Sequence, residues 1–337
     1  MRYDFGSDNT AGMAPAALQA LVEANTGYAR AYGSDEVTAR AADLIRGRLD
    51  ADAEVRFVFS GTAANAIALA MLASPHEAVL AHHAAHICTD ETGAPGFFGS
   101  GVGLIGLPGF SGKIDPVALN AALDEPEVGH RQPAAALSLT QSTEYGTVYT
   151  EEELRHLIEP AKLRGHRVHL DGARLANAAA AGFDLTQIAR LGVDVLVFGG
   201  AKAGAPCAEA IVMFDRSLAW RIDNRLKQAG QTASKTRFLS APLLGLLESN
   251  AWEDGAAHAN LMAQRLADGI AGRSSFVLAH PVEANAVFVR MPSEARQRLN
   301  DLGWACYRFD DGSVRFVCSW ATDEAAVDEL LGAIAGL

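Results

Sequence analysis

The chain has 337 residues, 49% of them hydrophobic and 20% charged, which is long enough for one large core and a second domain. Its formal net charge of −12 argues against nucleic acid or an anionic membrane as the main partner. The N-terminus MRYDFGSDNTAG lacks an apolar signal core, no apolar run approaches the about 20 residues of a membrane span, and Cys88, Cys207, Cys306 and Cys318 show no paired spacing. A cytoplasmic protein with reduced thiols is expected.

Short apolar runs of strand length alternate with helical patterns, which predicts a mainly parallel α/β sheet. The first predicted strand is 55–59, followed by Ser-Gly-Thr and the helix AANAIALAML. The second is 77–81, after which HHAAHICTDETGAP reads as a polar loop running into a short helix. Strands 134–140 and 166–171 flank the helix EEELRHLIEPAKLRG, and strands 194–200 and 209–215 complete the series. Residues 235 to about 254 read as one long helix. Beyond it SFVLAHP, NAVFVRMP, ACYRFD and SVRFVCSW are predicted strands, interleaved with two helices in a small α+β domain. The expected division is an N-terminal arm at 1–20, a large domain at 21–245 and a small domain at 246–337.

Chemistry enters at the strand ends. Ser60-Gly61-Thr62 lies between a strand and a helix, where free N–H groups and the helix dipole favour a phosphate; a simple helix cap is the alternative. Gly101-Val-Gly103-Leu-Ile-Gly106 spells G-x-G-x-x-G without strand-then-helix context, and SGKID at 111–115 lacks the Ser/Thr of a Walker loop; both are expected to be loop glycines. In HHAAHICTDE, His82 and His86 are four apart with Asp90 and Glu91 following. No zincin pattern is present, so no metal site is expected. A histidine stacked on a flat cofactor, or a plain loop histidine, suits this stretch better.

Asp171 in VHLDGARLAN stands at the carboxyl end of a strand, where open α/β sheets bind ligands, with Arg174 three residues on. Lys202 ends the next strand, in DVLVFGGAKAGAPCAEA, and no other charge follows until Glu209. Apolar surroundings would disfavour its ammonium form and leave a nucleophilic amine. The flanking glycines are expected to leave room for a flat cofactor. Phosphate site, aspartate, histidine and sheltered lysine together meet the needs of pyridoxal 5′-phosphate: a Schiff-base lysine, a carboxylate on the pyridine nitrogen, and a helix N-terminus for the phosphate.

Seven strings in order carry a resemblance: DFGSDNTAG, YGSDEVT, SGTAAN, AAHICTDETGAP, DGARLANAA, FGGAKAG and VRFVCSW. Together they resemble the L-threonine aldolases, the β-eliminating-lyase-like group of the aspartate-aminotransferase fold (fold type I), essentially end to end. The resemblance implies a mainly parallel seven-stranded sheet flanked by helices, plus the small C-terminal domain. It implies that Lys202 holds pyridoxal 5′-phosphate, Asp171 contacts its pyridine nitrogen, Gly61 and Thr62 bind its phosphate, and His86 stacks on its ring. Ser7, Arg174 and Arg315 would grip the substrate carboxylate, with Tyr32 in the substrate-binding turn. It further implies a homotetramer with active sites shared across a dimer interface, where Arg225, and Lys235 or Arg237, would reach a neighbour's phosphate. The implied reaction is cleavage of a β-hydroxy-α-amino acid to glycine and an aldehyde, with β-elimination on the same anchors as the runner-up.

Two departures from the family pattern stand out. Ala201 precedes the lysine where many members have Ser or Thr, so another donor must support the phosphate. TQSTEYGTVY puts Glu144 and Tyr145 where many members have His-Asn, so His86, Glu144 or a water is left as the base.

Overall fold

The computed structural model describes residues 1–126 and 128–337. Seven strands build the central sheet: β1 (Glu54–Val58), β2 (Ala78–His82), β3 (Gly103–Leu107), β4 (Ala134–Thr140), β5 (Arg167–Gly172), β6 (Val195–Gly199) and β7 (Glu209–Met213). They lie in the order β1-β7-β6-β5-β4-β2-β3, and β7 alone runs against its neighbours.

Strand residues alternate between two cores, as a pleat of period two requires. Leu80, Leu170, Leu196, Phe198 and Val212 face the core built with the helices Glu36–Leu49, Glu151–Leu163 and Arg237–Glu248. Val79, Val195, Val197, Ile211 and Met213 face the other, under the helix Gly61–Leu72. Burial on both faces explains why these strands read as continuous apolar runs.

A second sheet holds β8 (Val277–Leu278), β9 (Ala286–Arg290), β10 (Tyr307–Arg308) and β11 (Val314–Val317), all antiparallel in the order β8-β9-β11-β10. Its core includes Phe5 from the N-terminal arm, whose ring centroid is 5.7 Å from that of Trp304.

Two expectations need correction. The stretch expected to form one helix over 235–254 is two helices, Arg237–Glu248 and Ala251–Ile270, broken at Asn250 with φ 60°. The second puts Trp252 and Ala256 in the large-domain core and Ala259 to Ile270 in the small-domain core, so it joins the two. Gly103 and Gly106, expected in a loop, lie in edge strand β3. A Cβ on Gly106 would meet the Cα of His83 at 3.2 Å, so a side chain there would press on the residue after β2. No helix among the described residues is long and apolar enough to cross a membrane.

Candidate active site

The turn after β6 is clamped from both sides. Trp252 donates its indole N–H to the Gly199 carbonyl at 2.9 Å, and the Gly200 N–H donates to Glu209 Oε2 at 2.9 Å. The glycines serve this close approach of backbone. A Cβ on Gly199 would lie 2.5 Å from the Ala173 carbonyl oxygen, and one on Gly200 2.5 Å from that of Ala208. Lys202 emerges half-buried, with no hydrogen bond or ion pair among the described residues. Its surroundings are not the apolar nest expected from the sequence. Three buried carboxyls, Asp8, Asp171 and Glu209, all feel its charge. Burial pushes Glu209 up to about 7, against the pull of Lys202 and the Gly200 N–H.

Asp171 lies near the end of β5, in register with Thr140 of β4 and Val197 of β6. Its Oδ1 accepts the Ala173 N–H at 2.9 Å and its Oδ2 accepts Asn65 Nδ2 at 2.9 Å. Burial opposes its ionisation, but Lys202, His169, the Ala173 N–H and Asn65 outweigh burial and hold the pKa below the usual range. His169, two residues back on the same face, is fully buried, hydrogen-bonded through Nδ1 to Ser138 at 2.9 Å, and pushed by burial down to about 4. It is neutral at physiological pH.

Asn65 continues the chain of contacts. Its Nδ2 also donates to Glu91 Oε1 at 2.8 Å, and the same oxygen is 2.8 Å from His86 Nδ1. The Glu91 hydrogen bond raises the His86 pKa above its ordinary value although burial opposes it. Asp171 and His86 are thus set by one relay. Sequence reasoning quoted Asn65 and Glu91 but gave them no role. Their signal is spacing: Asn65 is one helical turn beyond Gly61, on the helix face above Asp171.

At the helix N-terminus, Ser60 is the cap, its Oγ accepting the Ala63 N–H at 3.3 Å. The N–H groups of Gly61 and Thr62 remain without partners among the described residues, and a Cβ on Gly61 would meet nothing within 4 Å. Two unpaired N–H groups at a helix N-terminus can take an anion.

A pair of arginines completes the group. Arg174 pairs with Asp8 through Nε at 2.7 Å and Nη2 at 2.9 Å, and Asn285 adds a hydrogen bond to Asp8 at 3.1 Å. Burial works against the Asp8 charge, but Arg174, Lys202 and Asn285 outweigh it and hold the carboxyl at about 2. Asp8 was overlooked because Ser7, beside it in the same string, drew the role. Ser7 Oγ accepts the Asn9 N–H at 3.1 Å and caps a short turn. Arg315 on β11 has no ion pair or hydrogen bond among the described residues, and its buried Nε is unsatisfied. Burial, then the charge of Arg174, lower its pKa, while Asp8 and Glu144 act the other way. Glu144 is half-buried and free of hydrogen bonds among the described residues, and its charge reaches His86, Arg174 and Arg315.

Four of the expected residues, Tyr32, Arg225, Lys235 and Arg237, are not brought into this network. Tyr32 is 59% exposed with φ 58°, and its ring lies under Lys227 Nζ at 5.2 Å. Arg225 is exposed on the helix Ile222–Gln228, Lys235 is exposed, and Arg237 donates to the Gly27 carbonyl at 3.4 Å and lies over the Phe238 ring at 5.0 Å.

Comparison with known proteins identifies the family. The family model described as "Beta-eliminating lyase" matches residues 4–294. The low specificity L-threonine aldolase of a Pseudomonas species is 45% identical over 330 residues, covering 97% of this chain and 95% of its own. The solved Leishmania major threonine aldolase superposes with a TM-score of 0.92 at 31% identity, over 98% of both chains. The histidinol-phosphate aminotransferase of Clostridium acetobutylicum shares the fold alone, at TM-score 0.74 and 15% identity over 96% and 95% of the two chains. The chain belongs to the beta-eliminating lyase family, among the low specificity L-threonine aldolases.

Proposed function

We propose that this chain cleaves L-threonine and related β-hydroxy-α-amino acids between Cα and Cβ, giving glycine and an aldehyde, with pyridoxal 5′-phosphate as cofactor. The observation that carries the proposal is the convergence of an unpaired Lys202, a buried anionic Asp171 and a half-buried Arg315 whose Nε is unpaired. The relatives named low specificity L-threonine aldolase point to the same substrate class.

The cofactor fits what is present. Lys202 would hold it, Asp171 would face its ring nitrogen, the Gly61 and Thr62 N–H groups would take its phosphate, and His86 would lie against the ring. The unpaired oxygens Asn65 Oδ1 and Glu91 Oε2 show a polar wall with acceptors to spare. When bound, the cofactor supplies an electron sink for the pair released as Cα–Cβ breaks.

The residues do the rest. Arg315 supplies the free guanidinium for the substrate carboxylate, and Arg174, held by Asp8 through Nε and Nη2, offers Nη1. Ser7 can donate its hydroxyl to the same group. Fixing the carboxylate orients the scissile bond. Glu144 accepts the β-hydroxyl proton, because it is the carboxylate without a hydrogen bond among the charges of this pocket. His86 is tied through Nδ1 to Glu91, which favours a ring-positioning role for it.

The same proposal includes a cytoplasmic homotetramer of close dimers. Tyr28, Phe97 and Tyr32 are 109%, 80% and 59% exposed in the single chain. A subunit interface would cover large exposed side chains of this kind. Arg225 and Arg237 then serve a neighbour's phosphate.

Glycine and acetaldehyde release from L-threonine tests the activity, and release of ammonia with a keto acid would instead indicate β-elimination. Lys202→Ala should abolish turnover and the visible absorbance of the bound cofactor. A variant that keeps both would overturn the lysine assignment.

A further inference from the structure

Ser111, His280 and Asp311 form a hydrogen-bonded row outside the residues assigned above. Ser111 Oγ is 2.9 Å from His280 Nδ1, and His280 Nε2 is 3.0 Å from Asp311 Oδ2. The composition is that of a hydrolytic triad, but Ser111 is 6% exposed and cannot meet a substrate carbonyl. What the row joins is more informative.

On one side, the Ser111 carbonyl accepts the hydroxyls of Thr143 at 3.1 Å and Thr147 at 2.7 Å. These two residues close the turn that presents Glu144 and Tyr145, its backbone bonds running Thr143 N–H to Thr147 O and Gly146 N–H to Thr143 O. On the other side, Asp311 is the tip of the hairpin leading into β11, where Phe309 and Ser313 are bonded to each other. Phe309 lies under the Arg315 guanidinium at 5.3 Å, and Phe288 is the cross-strand partner of Arg315. Tyr145 fills the gap, its ring 4.2 Å from His280, 5.3 Å from Phe309 and 5.4 Å from Phe288. Glu144 thus belongs to a large-domain turn and Arg315 to a small-domain strand, and one histidine bonds to the supports of both.

We propose that His280 is a positioning residue that sets the distance between Glu144 and Arg315, and so the fit of the amino-acid substrate, through its bonds to Ser111 and Asp311. This rests on the roles given above to Glu144 and Arg315. Removing the two bonds lets the turn and the hairpin move independently, so amino-acid binding suffers while the cofactor anchors, on β5 and β6, do not.

The test uses His280→Phe, which keeps a ring against Tyr145 and removes both bonds, and Ser111→Ala, which removes one. Each should raise KM for L-threonine, roughly tenfold for His280→Phe, a size usual for coupled neighbours, with cofactor affinity and absorbance unchanged. In an Arg315→Met background the His280→Phe effect should vanish, because the residue being positioned is gone. Hydrogen exchange of the variant, compared with wild type as purified, should quicken together in 143–147 and 309–313. An unchanged KM for both variants, or a full tenfold effect in the Arg315→Met background, would overturn the proposal. If wild-type protein does not cleave threonine at all, the functional assignment fails instead; the paired exchange result then decides the link on its own, and quickening of the hairpin alone refutes it.

Discussion

Arg315→Met is expected to weaken amino-acid binding and to stabilise the protein at the same time. In the free protein Arg315 is half-buried, its buried Nε has no partner, and the neighbouring Arg174 opposes its charge. A buried unsatisfied polar group costs about 1–3 kcal/mol. Methionine keeps the length and removes that cost, while losing a cation–π contact to Phe309 worth about 0.5–1 kcal/mol. The net expectation is a gain of roughly 1 kcal/mol, visible as a higher urea midpoint. A bound carboxylate would receive two charge-assisted bonds from Arg315, each worth about 1.5–3 kcal/mol. Their loss should cost about 3–6 kcal/mol, or roughly 10²–10⁴-fold in KM for L-threonine. Competition by the amine 1-amino-2-propanol, which lacks the carboxylate, should be insensitive to the change. A variant that loses stability while keeping the wild-type KM would refute the reasoning, because Arg315 would then be a satisfied structural residue.

Asp8→Asn should destabilise the protein by about 2–3 kcal/mol at neutral pH, since Asp8 titrates near 2 in place of its ordinary 3.8. That contribution is present above about pH 4 and is lost as pH falls through 2, so wild type and variant should converge in acid unfolding. Glu209 has the opposite sign: raised from 4.5 to about 7, it contributes fully below 4.5 and loses its contribution as pH rises through 7. Glu209→Gln keeps an acceptor for the Gly200 N–H, and its stability should fall by about 3 kcal/mol less than that of wild type across this window, measured by urea titration at each pH. Gly199→Ala should cost at least about 1–3 kcal/mol, because its Cβ would press on two backbone carbonyls. It should also loosen the cofactor, as reported by its release on dilution.

Much of the candidate site was legible because each main anchor ends a strand or begins a helix. Asp171 and Lys202 each close an apolar run, and Gly61 and Thr62 open a helix straight after one. Residues that act through others were harder to see. Asp8 and Glu209 carry no local signature, and Asp8 and Asn65 acquire their roles from partners distant in sequence: 166 residues on for Asp8 with Arg174, and 106 for Asn65 with Asp171. The setting of Lys202 was misjudged for the same reason. Its sequence neighbours are apolar, but its charged neighbours arrive from the N-terminal arm, β5 and β7.

The sequence by itself determined the alternation of strands and helices, the two-sided burial of the sheet and the order of the seven motifs, because these depend on periodicity and on residues close along the chain. Only the tertiary structure decided which charges are paired. Asp8 satisfies Arg174 and leaves Arg315 free, although both arginines look alike in the sequence. Only the fold, too, put Ser111, His280 and Asp311 in one row between Glu144 and Arg315. Pairing depends on which side chains burial brings within about 3 Å of each other, and local sequence does not encode that distance.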